Sequence, residues 1–93
     1  MVDDRNGAVA AVESYIRAML VASLDDASFI KIDLSGEGTV IMVNITRARE
    51  SSEFSRVIGR RGQTINAIRR LAYIFGLKLG YKVIIEVEHD RHG

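Results

Sequence analysis

Two glycines separated by one residue, in the segment Ser35-Gly36-Glu37-Gly38, stand between two runs that have the pattern of β-strands. Because glycine adopts the positive φ angles that a tight reversal needs, this segment predicts a turn and the whole region a β-hairpin. Residues 28–34 alternate as in a half-buried strand, with Ile30, Ile32 and Leu34 on one side. Residues 39–46 are apolar at both parities, which is typical of a central strand, and either parity can face the core.

A helix is predicted before the hairpin, from Ala8 to about Leu24. Asp4 or Asn6 can cap its start. Its apolar residues recur at helical spacing and predict one buried stripe, formed by Val9, Val12, Ile16, Met19 and Leu20.

Two more helices are predicted after the hairpin. Beyond the polar connector 47–52, a short helix is expected to reach Ile58, with Ser51 or Ser52 as its cap. A longer helix begins at Thr64 and ends before Gly80, which suits a left-handed terminating residue. Its predicted buried face consists of Ile65, Ile68, Ala72, Phe75 and Leu79. Gly76, inside this helix, is expected to cost up to ~1 kcal/mol relative to alanine.

Residues 82–88 alternate cleanly and predict a last strand with Val83, Ile85 and Val87 facing inward. A right-handed crossover through the two helices would return this strand parallel to the central one. The predicted class is therefore α+β in the order α-β-β-α-α-β, with a three-stranded mixed sheet covered on one face by three helices.

The chain of 93 residues has room for one hydrophobic core, so we expect a single domain, 1–93, with a core of about 8–88 and frayed termini. It has no cysteine, which excludes disulfides and thiolate metal sites. Its apolar runs are far shorter than the roughly 20 residues that span a bilayer. The acidic start, Met1-Val2-Asp3-Asp4, differs from the basic front of a signal peptide. We therefore expect a cytoplasmic protein that does not contact the membrane.

The basic residues are clustered, although the net charge is only +1. Between Phe54 and Lys82 lie seven of the thirteen basic residues and none of the twelve acidic ones. Such a local basic field is what a phosphate-binding face requires, and a solvated helix face is the alternative interpretation.

The run from Arg56 to Ile68, RVIGRRGQTINAI, carries two glycines in an apolar frame within this basic region. It resembles the signature of the KH family, Val-Ile-Gly-x-x-Gly-x-x-Ile-x-x-Ile, at every defined position. The extra helix and strand before the core resemble the type II KH arrangement, and the resemblance covers residues 8 to 88. An ordinary turn between helices is the alternative for an isolated Gly-x-x-Gly.

The size and layout resemble the small bacterial KhpA-type RNA-binding proteins. The resemblance implies a homodimer or a larger KhpB-like KH partner, RNA chaperone-like roles and a link to cell-shape control. This chain departs from such proteins at Tyr73-Ile74-Phe75, where they carry an alanine-rich stretch.

The loop from Gly59 to Gly62 also has a physical case. Glycines remove side chains where a sugar-phosphate backbone must approach, and the following helix directs unpaired N–H groups there. Arg60 and Arg61 add guanidinium forks that bind phosphate oxygens. KH loops of this kind clamp about four nucleotides of a single strand.

Bases would then lie in an apolar groove beside the loop, with Val57, Ile58 and Ile65 as its floor. Arg56, Arg69 and Lys82 are candidates for flanking phosphate contacts, and the shortage of aromatic residues predicts modest affinity. The residues predicted to contact single-stranded RNA, with single-stranded DNA as an alternative, are Arg56, Val57, Ile58, Gly59, Arg60, Arg61, Gly62, Gln63, Thr64, Ile65 and Arg69.

No cofactor, small-molecule substrate or catalytic activity is expected. The loop lacks the Gly-Lys-Ser/Thr ending of a P-loop. His89 and His92 have metal-ligand spacing but lie in a short polar tail that we expect to be frayed. Two pairs of carboxylates, Glu50 with Glu53 and Glu86 with Glu88, have the spacing for acid-base work, but no nucleophile is nearby. We expect them to lie on solvated faces.

The second hypothesis is a protein-interaction module on a KH scaffold, which would form a homodimer or dock a larger partner. Phe29, Val40 or Ile41, and Ile84 are predicted to converge on the sheet face away from the helices. An apolar patch there would mark an association surface, and cover by the first helix or a loop is the alternative.

Overall fold

The computed structural model describes residues 4–23, 28–47 and 63–88. Within them the order of elements is α1 (Asp4–Ser23), β1 (Ile30–Ser35), β2 (Val40–Arg47), α2 (Gln63–Leu79) and β3 (Lys82–Val87). The short helix predicted to reach Ile58 lies outside the described residues. The two described helices and the strands confirm the predicted α+β class.

The three strands form one mixed sheet in the order β1-β2-β3. β1 and β2 are antiparallel, with Ile32 opposite Ile45, as the predicted hairpin requires. β3 returns parallel to β2, with Ile84 beside Met42. The mixed sheet with a central β2 is therefore confirmed.

The turn of the hairpin has the predicted backbone conformation. Gly36 and Gly38 have φ angles of 101° and 63°, which side-chain-bearing residues rarely adopt. The Arg5 guanidinium of α1 holds this turn from outside, because Nη2 donates to the Gly36 carbonyl at 2.7 Å and Nη1 to the Gly38 carbonyl at 2.7 Å. Helix α1 begins at Asp4 rather than near Ala8, so Asn6 lies inside the helix.

The core lies between one face of the sheet and the two helices. On β2 the buried parity is Ile41, Val43 and Ile45, which answers the question that the sequence left open. The predicted inward residues of β3 are buried too, and so are Ile30 and Ile32 of β1. From α1 the buried residues are Ala8, Val12, Ile16 and Leu20, with Val9 and Met19 partly buried.

The predicted patch on the opposite sheet face is wrong in part. Phe29 is buried in the core, because it precedes β1 in a turn and does not belong to the strand. Ile41 faces the helices, whereas Val40, Met42 and Ile84 lie half-buried on the opposite face.

Helix α2 ends as predicted at Gly80, whose φ angle is 88°. The Gly80 N–H donates to the Leu77 carbonyl and the Tyr81 N–H to the Gly76 carbonyl, which is the Schellman pattern. The chain reverses there, so Leu79 is 39% exposed and the prediction that it is buried is wrong. The Phe75 ring is half-buried and stacks on Tyr15 of α1 at a centroid distance of 4.4 Å.

Neither described helix is long and apolar enough to cross a membrane.

Candidate nucleic-acid interface

The whole predicted RNA-binding loop, 59–62, lies outside the described residues. Arg56, Val57, Ile58 and the segment 59–62 belong to the part of the chain that the structure leaves undescribed. Their roles stay predictions. Of the predicted site residues, the structure places Gln63, Thr64, Ile65 and Arg69, all of them on α2.

The first turn of α2 directly follows the predicted loop. The helix begins at Gln63, which is exposed, and Thr64 is half-buried. The first N–H groups of a helix have no partner within it, and its N-terminal end carries a partial positive charge. This turn contains no acidic residue that would oppose an incoming phosphate. The loop and this helix end are therefore adjacent in the chain and of the same electrostatic sign.

Ile65 has a different environment from its neighbours in the motif. Its side chain is 3% exposed and belongs to the core between the helices and the sheet. In the described structure Ile65 therefore packs in the core under the first turns of α2. Its predicted contact with bases stays a prediction.

A groove of about 670 Å³ separates α2 from β3. We call it the α2–β3 groove and define it by Asn66, Arg69, Arg70 and Tyr73 on α2 together with residues 82–86 on β3. The four helical residues follow the spacing i, i+3, i+4, i+7 and so form a single row along the helix. The groove therefore starts one turn after the predicted loop and runs along the last strand.

Arg69 is held at the edge of β3 by two hydrogen bonds. Its Nε donates to the Ile85 carbonyl at 3.2 Å, and its Nη1 donates to Asn66 Oδ1 at 3.2 Å. Two anchored nitrogens restrict an otherwise flexible side chain, so less rotamer entropy is lost when the guanidinium binds a phosphate.

The charge of the groove is positive. Arg69, Arg70 and Lys82 line it, with Glu86 as the acidic residue among its lining residues. The ion pairs between described residues, Arg17–Glu13 and Lys31–Asp33, involve none of these side chains. Within the described part of the chain, the three cations of the groove thus have no carboxylate within 4.0 Å. A polyanion would therefore not have to displace a carboxylate of the described residues there.

The strand side of the groove presents main-chain groups. The N–H groups of Lys82 and Glu88 donate to Thr39 and Ile45, so the even-numbered residues of β3 bond to β2. Successive strand residues direct their polar groups to opposite edges, so Val83 and Ile85 direct theirs toward the other edge. No described strand pairs with that edge. The Ile85 carbonyl accepts the hydrogen bond from Arg69, and the remaining main-chain groups of this edge pair with no described strand.

Sequence reasoning named Arg69 and Lys82 for this site but missed Asn66, Arg70, Tyr73 and Glu86. Once Arg69 had been named as a candidate phosphate contact, helical spacing could have identified Asn66, Arg70 and Tyr73 as residues on the same face of α2. The position of Glu86 in the groove could not be predicted from sequence, because it depends on which edge of β3 pairs with another described strand.

A second surface is apolar. Leu71, Ile74 and Leu77 of α2 are exposed although they are large and hydrophobic. We call them the α2 apolar surface. A smaller groove of about 450 Å³ borders Leu71, between the end of α1 and the start of α2. Exposed apolar side chains grouped on one helix are typical of an association surface.

The described residues contain no group of three or more acidic or histidine side chains that could hold a metal ion. His89 and His92 lie outside the described residues.

Comparison with known proteins identifies one family. The family model of the KhpA/KhpB KH domain matches residues 12–87, from the middle of α1 to the end of β3. A search of curated proteins finds no match. The matched region includes the predicted loop, all three strands and both walls of the α2–β3 groove. On this evidence, the chain belongs to the KhpA/KhpB family of KH domains.

Proposed function

We propose that this protein binds single-stranded RNA, with Gly59-Arg60-Arg61-Gly62 clamping the sugar-phosphate backbone and the α2–β3 groove receiving the adjoining nucleotides. The observation that carries the proposal is the groove itself. Its three cations lack carboxylate partners among the described residues, it begins one helical turn after the predicted loop 59–62, and membership of the KhpA/KhpB family of KH domains supports RNA binding.

The proposed contacts divide into phosphate and base contacts. Arg60, Arg61 and the first turn of α2 bind phosphates, and Arg69 and Lys82 extend that track. If Arg60, Arg61 and the first turn of α2 neutralise two or three phosphates, the slope of log K against log salt is about −1.5 to −2, given ~0.7 per phosphate on single strands, and each further contact from Arg69 or Lys82 makes it steeper by ~0.7. Single strands are the target because their base edges are accessible to the main chain of β3.

Binding without bond making or breaking is part of the proposal. The role fits a cytoplasmic bacterial RNA chaperone or post-transcriptional regulator, which needs modest and sequence-tolerant affinity. Single-stranded DNA is the competing ligand. Equal affinity for RNA and DNA of the same sequence would show that the 2′-hydroxyl group does not contribute to binding.

The decisive variant replaces Arg60 and Arg61 with Asp. RNA binding, measured by fluorescence anisotropy with a short mixed-sequence oligonucleotide at low salt, should be lost. A matched control replaces Arg17 and Lys31 with Asp, because both are exposed, both lie outside the groove, and the change in net charge is the same. The control should bind within a few-fold of the unmodified protein. Undiminished affinity in the Arg60/Arg61 variant refutes the clamp.

A second candidate function is a protein-interaction module, and the α2 apolar surface favours it. The partner would be a second copy of this chain or a KhpB-like KH protein. Light scattering at high micromolar concentration should then give a dimeric mass, and Ile74→Asp should return it to a monomer. Amide shifts separate the two functions, because added RNA should perturb residues 56–69 under the first and none of them under the second.

A further inference from the structure

The aromatic side chains of the described residues differ sharply in what surrounds them. Phe29 is buried, Tyr15 and Phe75 stack on each other, and Tyr81 packs against the core. Tyr73 is the exception, with 43% of its surface exposed. Packing within the described residues therefore accounts for the other four rings and leaves Tyr73 unexplained.

Tyr73 lies in the wall of the α2–β3 groove. It follows Arg70 by three residues and Arg69 by four, so these side chains are its neighbours on the helix surface. Across the groove stands β3, where Val83 and Ile85 direct main-chain polar groups toward the edge with which no described strand pairs. Tyr73 thus lines the groove beside two cations, on the wall opposite a strand that carries main-chain hydrogen-bonding groups.

We propose that Tyr73 is a stacking platform for one base of the bound strand, with Arg70 and Lys82 holding the phosphates on either side of that nucleotide. The inference rests on the proposed function, and it adds a recognition residue outside the Gly-x-x-Gly loop. Every base has a flat face, so stacking of this kind supplies affinity with only a modest preference among bases. The larger purine rings should gain more from it than the pyrimidines.

The first test separates the contribution of the aromatic ring to RNA affinity from the contributions of side-chain size and of the hydroxyl group. Tyr73→Leu keeps an apolar side chain but removes the ring, and it should weaken binding to an adenine-rich oligonucleotide roughly 5- to 150-fold, the range for one lost base stack. Tyr73→Phe keeps the ring and should recover most of that loss. A preference of the unmodified protein for oligo(A) over oligo(U) should disappear in Tyr73→Leu.

The second test reports contact directly. The chain contains no tryptophan, so Tyr73→Trp introduces a single indole whose emission should be quenched when a base stacks on it. Leu77→Trp is the matched control, because Leu77 lies one turn further along the same helix, is 54% exposed and does not line the groove. Its emission should not change on addition of the same RNA.

The outcomes distinguish the inference from the function beneath it. If the unmodified protein binds no oligonucleotide at low ionic strength, both fall. If it binds but Tyr73→Leu binds equally well and the indole at 73 is not quenched, the stacking role alone is overturned. Quenching at 73 and 77 alike would point to contact all along α2 and would also overturn it.

Discussion

Gly76 of α2 lies against Val83 of β3 so closely that a Cβ atom at position 76 would overlap the Val83 Cγ2 methyl. The same Cβ would stand 3.0 Å from the Tyr81 carbonyl oxygen. Gly76 also accepts the hydrogen bond from the Tyr81 N–H that ends the helix. This glycine therefore sets how close α2 approaches β3, and with it the width of the groove between them.

Gly76→Ala should destabilise the protein, contrary to the expectation from helix propensity. Alanine gains up to ~1 kcal/mol over glycine in a helix. Overpacking costs typically ~1–3 kcal/mol, and Val83 cannot yield easily because it is buried and β-branched. We expect a net loss of about 1–2 kcal/mol in the free energy of unfolding, measured with urea.

Gly7→Ala is the matched control for that variant. Gly7 lies in α1, and a Cβ atom at position 7 would meet nothing within 4 Å, so propensity acts there without a steric cost. Gly7→Ala should stabilise by a few tenths of a kcal/mol up to ~1 kcal/mol. If both alanines stabilise alike, the close packing at Gly76 is not what holds α2 against β3.

Arg5 ties the start of α1 to the hairpin, and its removal should loosen both. Its guanidinium reaches the carbonyls of Gly36, Gly38 and Val40 at 2.7, 2.7 and 3.0 Å. Because hydrogen bonds to a charged group contribute ~1.5–3 kcal/mol and these are partly exposed, Arg5→Ala should cost about 1–2 kcal/mol. Arg5→Lys should recover less than half, since one ammonium cannot match the fork.

Hydrogen exchange locates this effect. The Val40 N–H, which donates to the Glu37 carbonyl across the turn, should exchange faster in Arg5→Ala, whereas the core amides of β3 should follow the global stability. Uniform acceleration across the sheet would mean that Arg5 contributes to global stability without acting on the turn.

The hairpin and the helix end were predictable because glycine chemistry and apolar alternation act locally. Gly36, Gly38 and Gly80 all have the positive φ angles that their positions predicted. Phe29 was misjudged, and the close approach of Gly76 to Val83 was not foreseen, because both depend on what packs against them, which local patterning does not encode. Arg69 and Lys82, named from the sequence as candidates for flanking phosphate contacts, both line the α2–β3 groove, whereas Tyr73 and Glu86 became apparent only when α2 and β3 were brought together.

RNA binding should require the planar guanidinium group of Arg69 as well as its positive charge. Arg69→Lys keeps the cation but loses the fork that joins Ile85 and Asn66, so RNA affinity should fall about 3- to 10-fold, which is on the order of 1 kcal/mol. Its salt slope should be unchanged. Arg69→Ala should reduce the slope by ~0.7, the value for one lost phosphate contact. A Lys variant that binds as well as the unmodified protein would show that charge alone suffices.

Glu86 is the acidic residue of an otherwise basic groove, and its neutralisation should strengthen RNA binding. At a separation of about 7 Å in water, repulsion between a carboxylate and a phosphate is ~0.6 kcal/mol, so Glu86→Gln should bind about threefold more tightly at low salt. Screening should remove most of this gain as the salt concentration approaches 1 M, where the Debye length is ~3 Å. Glu37→Gln, in the hairpin turn and away from the groove, makes the same charge change and should have a smaller effect. If Glu86→Gln instead weakens binding, the Glu86 carboxylate accepts a hydrogen bond from a base. Guanine-containing oligonucleotides should then lose the most affinity, because the Watson–Crick edge of guanine offers two adjacent N–H donors.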